Sequence, residues 1–189
     1  MALFLLPLAL HPRLKLPSMA VIVAVLIACL LGGAFSGCYL DKKHGRSKGK
    51  TPLERITERV NRHGDVNDPA PKRPLLTLAE FFEGNESAGS IGCNLSPVPA
   101  PSEFHKLLSR IAARPDVADV RVQITMFDDP TWPFSDTIWV ITSANPKQVL
   151  TWFDENVRPD ECNKGWTEGT SFETCEVPPG MSPVACWWD

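Results

Sequence analysis

A chain of 189 residues has room for one ordinary domain and a membrane-directed lead, but not for a second large core. The formal charge of −3 conceals two halves of opposite sign: up to Pro74 there are 12 Lys and Arg against 5 Asp and Glu, and from Leu75 onward 7 against 17. The acidic half repels nucleic acid, which leaves a basic protein or a cation as the better-matched partner.

In chain order, residues 1–15 form a short lead, and residues 16–40 contain no charged side chain. A helix rises about 1.5 Å per residue, so some twenty of these residues match the roughly 30 Å hydrocarbon thickness of a bilayer. The run predicts a single transmembrane helix. Lys42, Lys43, Arg46, Lys48 and Lys50 follow it closely, whereas only Arg13 and Lys15 precede it. Positive residues resist translocation, so the heavier cluster should stay inside, with the domain in the cytoplasm and the N-terminus outside. If Met19 is the true start, Arg13 and Lys15 are absent and that orientation is stronger.

Two other readings of the same run stay open. Phe35-Ser36-Gly37-Cys38 resembles the lipobox of bacterial lipoproteins, although Phe stands where Leu is commonest. That resemblance implies acylation of Cys38 and a periplasmic or extracellular domain. Ordinary signal cleavage between Ala34 and Gly37 is the third reading, and it releases the domain.

Residues 41–74 read as a basic stem and linker. Thr51-Pro52-Leu53-Glu54 has the form of a helix start, with Thr51 as N-cap, Pro52 at the first position and Glu54 closing a capping box. Leu53, Ile56 and Val60 follow at helical spacing to about Arg62, but three apolar positions bury little area, which predicts a linker helix.

Residues 75–168 read as the folded domain. Thr77 and Glu80 repeat the capping box ahead of Leu78, Phe81 and Phe82, and Gly84 ends that helix. Ile91 to Leu95 is short and apolar enough for a first strand. Ser102 is the expected cap of the best helix, with Phe104, Leu107, Leu108, Ile111 and Ala112 on one face. Val120, Val122, Ile124 and Met126 alternate with polar residues, the pattern of a strand buried on one face. Thr137 to Thr142 is apolar on both faces and predicts a central strand. Asn145-Pro146 begins a helix whose buried side is Val149, Leu150 and Phe153. Arg158 to Glu168 is a poor candidate for a fourth strand, and residues 169–189 read as an irregular tail ending in Trp187-Trp188. The expected fold class is α+β: a two-layer sandwich of antiparallel sheet under two main helices, of the split βαβ or ferredoxin-like kind.

Chemistry-bearing residues are sparse. Asp128, Asp129 and Asp136 border a Pro-rich aromatic turn, and Glu83 and Glu86 lie in a second polar loop that can face the same sheet edge. Gathered carboxylates hold hard cations, but EF-hand spacing is absent, so a solvated Asx-capped loop is the plainer reading. Cys93 has no evident base beside it, and His105 is the domain's only histidine. No GxSxG, HExxH or Walker pattern occurs, so no enzyme activity, catalytic residue or cofactor is expected. Cys93, Cys162, Cys175 and Cys186 allow three disulfide pairings in an oxidising compartment and are simply thiols in a reducing one. Trp132, Phe134, Trp187 and Trp188 are the candidate partner contacts, since exposed tryptophan is costly.

The stretches Ala79 to Asn85 (AEFFEGN), Ser90 to Leu95 (SIGCNL) and Trp132 to Asp136 (WPFSD) resemble a pattern shared by small uncharacterised bacterial domains. The resemblance implies a bacterial source and carries over no activity. The sequence thus predicts a single-pass, membrane-tethered acidic domain that binds another protein, of inhibitor or immunity type. A lipoprotein with a structural role in the envelope, and a cation-binding domain or enzyme using the acidic loops, are the alternatives.

Overall fold

The computed structural model describes residues 49–69, 71–166, 171–173 and 175–189, which fall in one unit, Lys48–Asp189. The predicted transmembrane run and Cys38 lie outside the described residues. Among those described, no helix is long and apolar enough to cross a membrane.

Helix α1, Pro52–Val60, starts as its sequence predicts: Glu54 N–H donates to Thr51 Oγ1 at 3.2 Å and Thr51 N–H donates to Glu54 Oε2 at 2.7 Å. It is not a linker helix. Ile56 and Val60 are each 2% exposed and share the core with Val66, Phe81 and Phe82. The helix is held from its polar side as well, because Arg59 reaches the far end of the chain. Its Nη1 donates to Glu173 Oε1 at 2.7 Å and its Nε to Glu80 Oε1 at 2.9 Å.

Strand β1, Leu75–Thr77, runs directly into the short helix α2, Leu78–Phe82, whose Thr77/Glu80 capping box is formed. Helix α3, Pro101–Ala112, buries Phe104, Leu107, Leu108 and Ile111. Its N-cap is Ala100, with no side-chain cap, rather than Ser102. Pro101 takes the first helical position, where a missing N–H costs nothing, and this shifts the start by two residues. Strands β2, Val117–Gln123, and β3, Thr137–Thr142, follow, and all six residues of β3 are buried. Helix α4, Pro146–Leu150, is closed by a capping box between Asn145 and Gln148. A 3-10 turn at Glu155–Val157 leads to β4, Glu161–Lys164, and the chain ends in β5, Ser182–Trp187.

These strands form one sheet in the order β1-β2-β3-β5-β4, and every pairing is antiparallel. The α+β class is as expected, but a split βαβ arrangement places parallel strands side by side, and this sheet has none. Ile91 to Leu95 contributes only a parallel bridge from Ile91 to Ser135, not a first strand. The largest difference lies at the C-terminus, where the expected irregular tail supplies a strand inserted between β3 and β4. Pro183 masks this strand in the sequence. Its carbonyl accepts from Gly165 N–H at 2.9 Å, so it faces the margin where β4 ends and the absent proline N–H leaves no gap in the main ladder.

One face of the sheet presents Val120, Val122, Ile138, Val140, Val184 and Cys186 to the helices. The opposite face buries Leu75, Trp139 and Ile141. Trp139 lies 4.5 Å from the Trp166 ring and 5.4 Å from the Phe172 ring, and its Nε1 donates to Gln123 Oε1 at 2.9 Å. Segment 171–173 runs beside Arg73, with Arg73 N–H donating to Ser171 O and Glu173 N–H to Arg73 O. Trp166 and segment 171–173 therefore cover what a two-layer sandwich would leave open.

Candidate partner-binding site

The two loops that carry most of the candidate residues, 83–95 and 124–136, meet at one end of the sheet. Thr125 N–H donates to Phe134 O and Phe134 N–H to Met126 O, each at 2.9 Å, so the second loop continues the β2-β3 hairpin. Ser135 N–H donates to Ser90 O at 2.9 Å and joins the loops through their backbones. Ser87 and Thr131 join them again through hydroxyls 3.1 Å apart. Asn85 is nearly buried. Its Nδ2 donates to Ser90 Oγ at 3.0 Å and its Oδ1 accepts from Ser87 N–H at 3.0 Å, which fixes the first loop from within.

Trp132 is the anchor of this junction. Its indole lies in the core, and Nε1 donates to Phe81 O at 3.0 Å, satisfying a carbonyl at the end of α2. On one side of the junction is a depression of about 240 Å³, lined by Ser90, Cys93, Met126, Asp128, Asp129 and Phe134. On the other is a depression of about 400 Å³, lined by Thr51, Pro52, Leu53, Glu86 and Thr131. Ser87 and Trp132 border both, so the two adjoin. Met126 is 40% exposed at the first of them.

The five carboxylates singled out from the sequence do different things. Asp128, Asp129 and Glu86 are exposed at the rims of the depressions. Asp129 Oδ1 accepts from Thr131 N–H at 2.8 Å, and that backbone bond, with the Thr131 hydroxyl, holds its pKa below the ordinary range. Glu83 turns away and pairs with Arg55 at 2.6 Å. Asp136 is a structural acceptor, taking the hydroxyls of Thr125 and Thr137 at 2.7 Å each. Among the described residues, no three His, Cys, Asp or Glu side chains converge as a metal would require, so the acidic residues form a rim and not a ligand cage.

The terminal tryptophan pair divides. Trp188 is 3% exposed, packs edge-on against Phe104 and Phe153, and donates Nε1 to Val157 O at 3.3 Å, so it is core. Trp187 points to the other face of β5 and is 37% exposed. Trp139 is core, whereas Trp152 is half-buried with the Arg114 guanidinium 4.0 Å above its ring. Cys93, which falls in the expected strand Ile91 to Leu95, is exposed in the first depression, and His105 stacks on the Phe82 ring. Met126 and Leu53 were not among the candidate contacts. Met126 read as the end of a half-buried strand and Leu53 as part of a linker, and only their meeting with Trp132 makes them a surface.

The described residues form a mixed α+β fold with a five-stranded antiparallel sheet and a shallow two-part trough at one sheet end. The chain belongs to the YfbO family, described as an uncharacterized protein family, whose model matches residues 51–186. A relative from Escherichia coli (strain K12), described as uncharacterized protein YfbO, is 54% identical over 139 residues, which cover 74% of this chain and 99% of the relative. No solved structure matches the chain. The kinship expected from the three motifs, with small uncharacterised bacterial domains, therefore holds at that level. The matched region takes in α1, strands β1 to β4 and β5 up to Cys186.

Proposed function

We propose that this protein is a membrane-tethered acidic binding module, whose trough takes a segment of another protein that carries a basic residue beside an apolar one. The observation behind this reading is the combination of Met126, Phe134 and the Trp132 edge in one depression with Asp128 and Asp129 on its rim and Glu86 on the adjoining one. An apolar side chain of the partner loses water in the 240 Å³ depression, while a lysine or arginine beside it is drawn to the rim. The exposed carboxylates act mainly on encounter rate and orientation, and the apolar contact on residence time. Because the two loops are already joined by backbone hydrogen bonds, little ordering cost is left for the binding step.

In the same reading, residues 16–40 cross the bilayer uncut and Lys42 to Lys50 keep the module on the cytoplasmic side. No catalysis is part of this proposal, since the sequence offers no nucleophile and base pair.

The test uses the full chain in nanodiscs and an array of peptides pairing Lys or Arg with Leu or Phe. Binding that weakens with salt, and falls about tenfold when Glu86, Asp128 and Asp129 are changed together to their amides, is the expected result. Binding indifferent to both the amides and Met126→Ala would defeat the trough as the site. A compartment reporter fused after Asp189 is expected to report the cytoplasm. Mature protein starting at an acylated Cys38 would instead establish the lipoprotein form.

A further inference from the structure

Outside the trough, one pair of reactive groups stands in a geometry that nothing in the proposed binding role uses. Cys162 on β4 and Cys186 on β5 are directly opposite in the ladder, with their sulfurs 3.4 Å apart. The hydrogen bond from Gly165 N–H to Pro183 O sets the alternation of the antiparallel ladder, so that three steps on, Cys162 and Cys186 fall in a non-hydrogen-bonded pair. That is the pair type in which facing side chains come closest, with Cα atoms about 4.5 Å apart, inside the range a disulfide spans. Both side chains lie on the helix face of the sheet, Cys186 fully buried and Cys162 half-buried. Cys93 and Cys175 lie outside the named strands, and neither is hydrogen-bonded to another sulfur among the described residues.

We infer that Cys162 and Cys186 are a reversible dithiol-disulfide couple that fastens the edge strand β4 to β5 and closes the chain between them into a loop. The oxidant is a disulfide compound, small or protein. The Cys162 thiolate attacks one sulfur of that disulfide, the S–S bond breaks, and one thiolate leaves with Cys162 held as a mixed disulfide. Cys186 then gives up its proton, attacks the Cys162 sulfur and expels the second thiolate. Two electrons pass from the protein to the oxidant, two thiols are released after protonation, and one S–S bond is formed in the protein.

The division of labour follows from position. Cys162 is the sulfur a solvent-borne disulfide can reach, and the hydrogen bond between the two thiols holds it below the ordinary thiol range. Burial first, and then the neighbouring sulfur, push Cys186 well above that range, which suits the second, internal step. The closed loop contains Trp166 and Phe172, which cover Trp139, so oxidation constrains the cover of the second sheet face as well as the edge strand.

The test is peptide mapping of the detergent-solubilised full chain after exposure to glutathione disulfide. A Cys162–Cys186 linked peptide is expected, lost again with dithiothreitol, and the oxidised protein should melt about 5–10 °C higher. Cys186→Ser should trap glutathione on Cys162, whereas Cys162→Ser should leave Cys186 unmodified while the fold is intact. Free, alkylatable Cys162 and Cys186 after oxidation, linkage of either to Cys93 or Cys175, or an unchanged melting temperature on linkage would overturn the inference.

Discussion

Gly84 occupies a backbone conformation with φ of +78°, and a Cβ placed on it would lie 2.6 Å from Pro52 Cβ. Both the left-handed conformation and the contact demand glycine, because the loop leaving α2 rests against the first turn of α1 here. Gly84→Ala is expected to cost about 2–3 kcal/mol, read as a lowered denaturant midpoint with unchanged slope. A second residue of this kind is Glu173. Its side chain and that of Arg59 are 11% and 12% exposed, and Glu173 also accepts from Leu75 N–H at 3.2 Å and faces His63 Nε2 at 3.2 Å. Burial pushes its pKa up, but the Arg59 hydrogen bond, the Leu75 N–H and the charges of Arg59 and His63 outweigh that and leave it below the ordinary glutamate range. Glu80, with burial opposed by the Thr77 bonds and Arg59, is lowered in the same way. A carboxylate with a depressed folded pKa contributes stability that is complete above its unfolded value and lost as pH falls through the folded one. The wild-type protein should therefore lose stability below about pH 4.5, and Glu173→Gln should flatten that fall while costing about 2–3 kcal/mol at neutral pH. Thermal melts from pH 3 to pH 7 measure both; a parallel pH profile in the variant would count against Glu173 as a source.

At the scale of elements, β5 and its last residues tie the molecule together. Trp188 fills the space between α3 and the stretch carrying Phe153, and its main-chain N–H donates to Asp136 O at 3.0 Å. Trp188→Ala should cost about 3–5 kcal/mol, as truncation of a buried aromatic does, while Trp187→Ala should stay within about 0.5 kcal/mol. Equal effects in urea melts would contradict the split assigned to the two rings. This contrast also marks what the sequence can express. The capping boxes of Thr51 and Thr77 were legible because both partners lie three residues apart, the Asn145 cap because Pro146 follows it, and β3 because Thr137 to Thr142 is apolar on both faces. β5 was not, since Pro183 is an anti-strand signal and its harmless placement depends on Gly165, far back in the chain. The burial of α1 was hidden for a related reason: three apolar positions look insufficient until Arg59 is seen to bind Glu173, 114 residues away. The trough lies between these cases. Its acidic and aromatic residues were visible as types, but the union of the two loops runs through Ser87, Ser90 and Thr131, residues with no signal of their own.

For the whole molecule, the question of where the folding unit begins has a physical answer that differs from the composition boundary at Leu75. The charge changes sign there, yet the core does not stop there. Ile56, Val60 and Val66 are each 2% exposed, and burying three such aliphatic side chains contributes roughly 5–9 kcal/mol, before the Arg59 pair is included. Small domains have net stabilities of only about 5–15 kcal/mol, so losing this much removes most or all of the margin. The exposed α2 face and the now unpaired Glu173 would add to the loss, because a carboxylate buried without its arginine is costly. A chain starting at Lys48 retains α1, its capping box and every contact named above, and the family match itself begins at Thr51. The Lys48 fragment is therefore expected to show a cooperative melt at the temperature of the full chain's folded part. The Leu75 fragment should show no cooperative transition and rapid proteolysis. Circular dichroism melts and limited trypsin digestion of the two fragments decide it; a cooperative, protease-resistant Leu75 fragment would return α1 to the role of a linker.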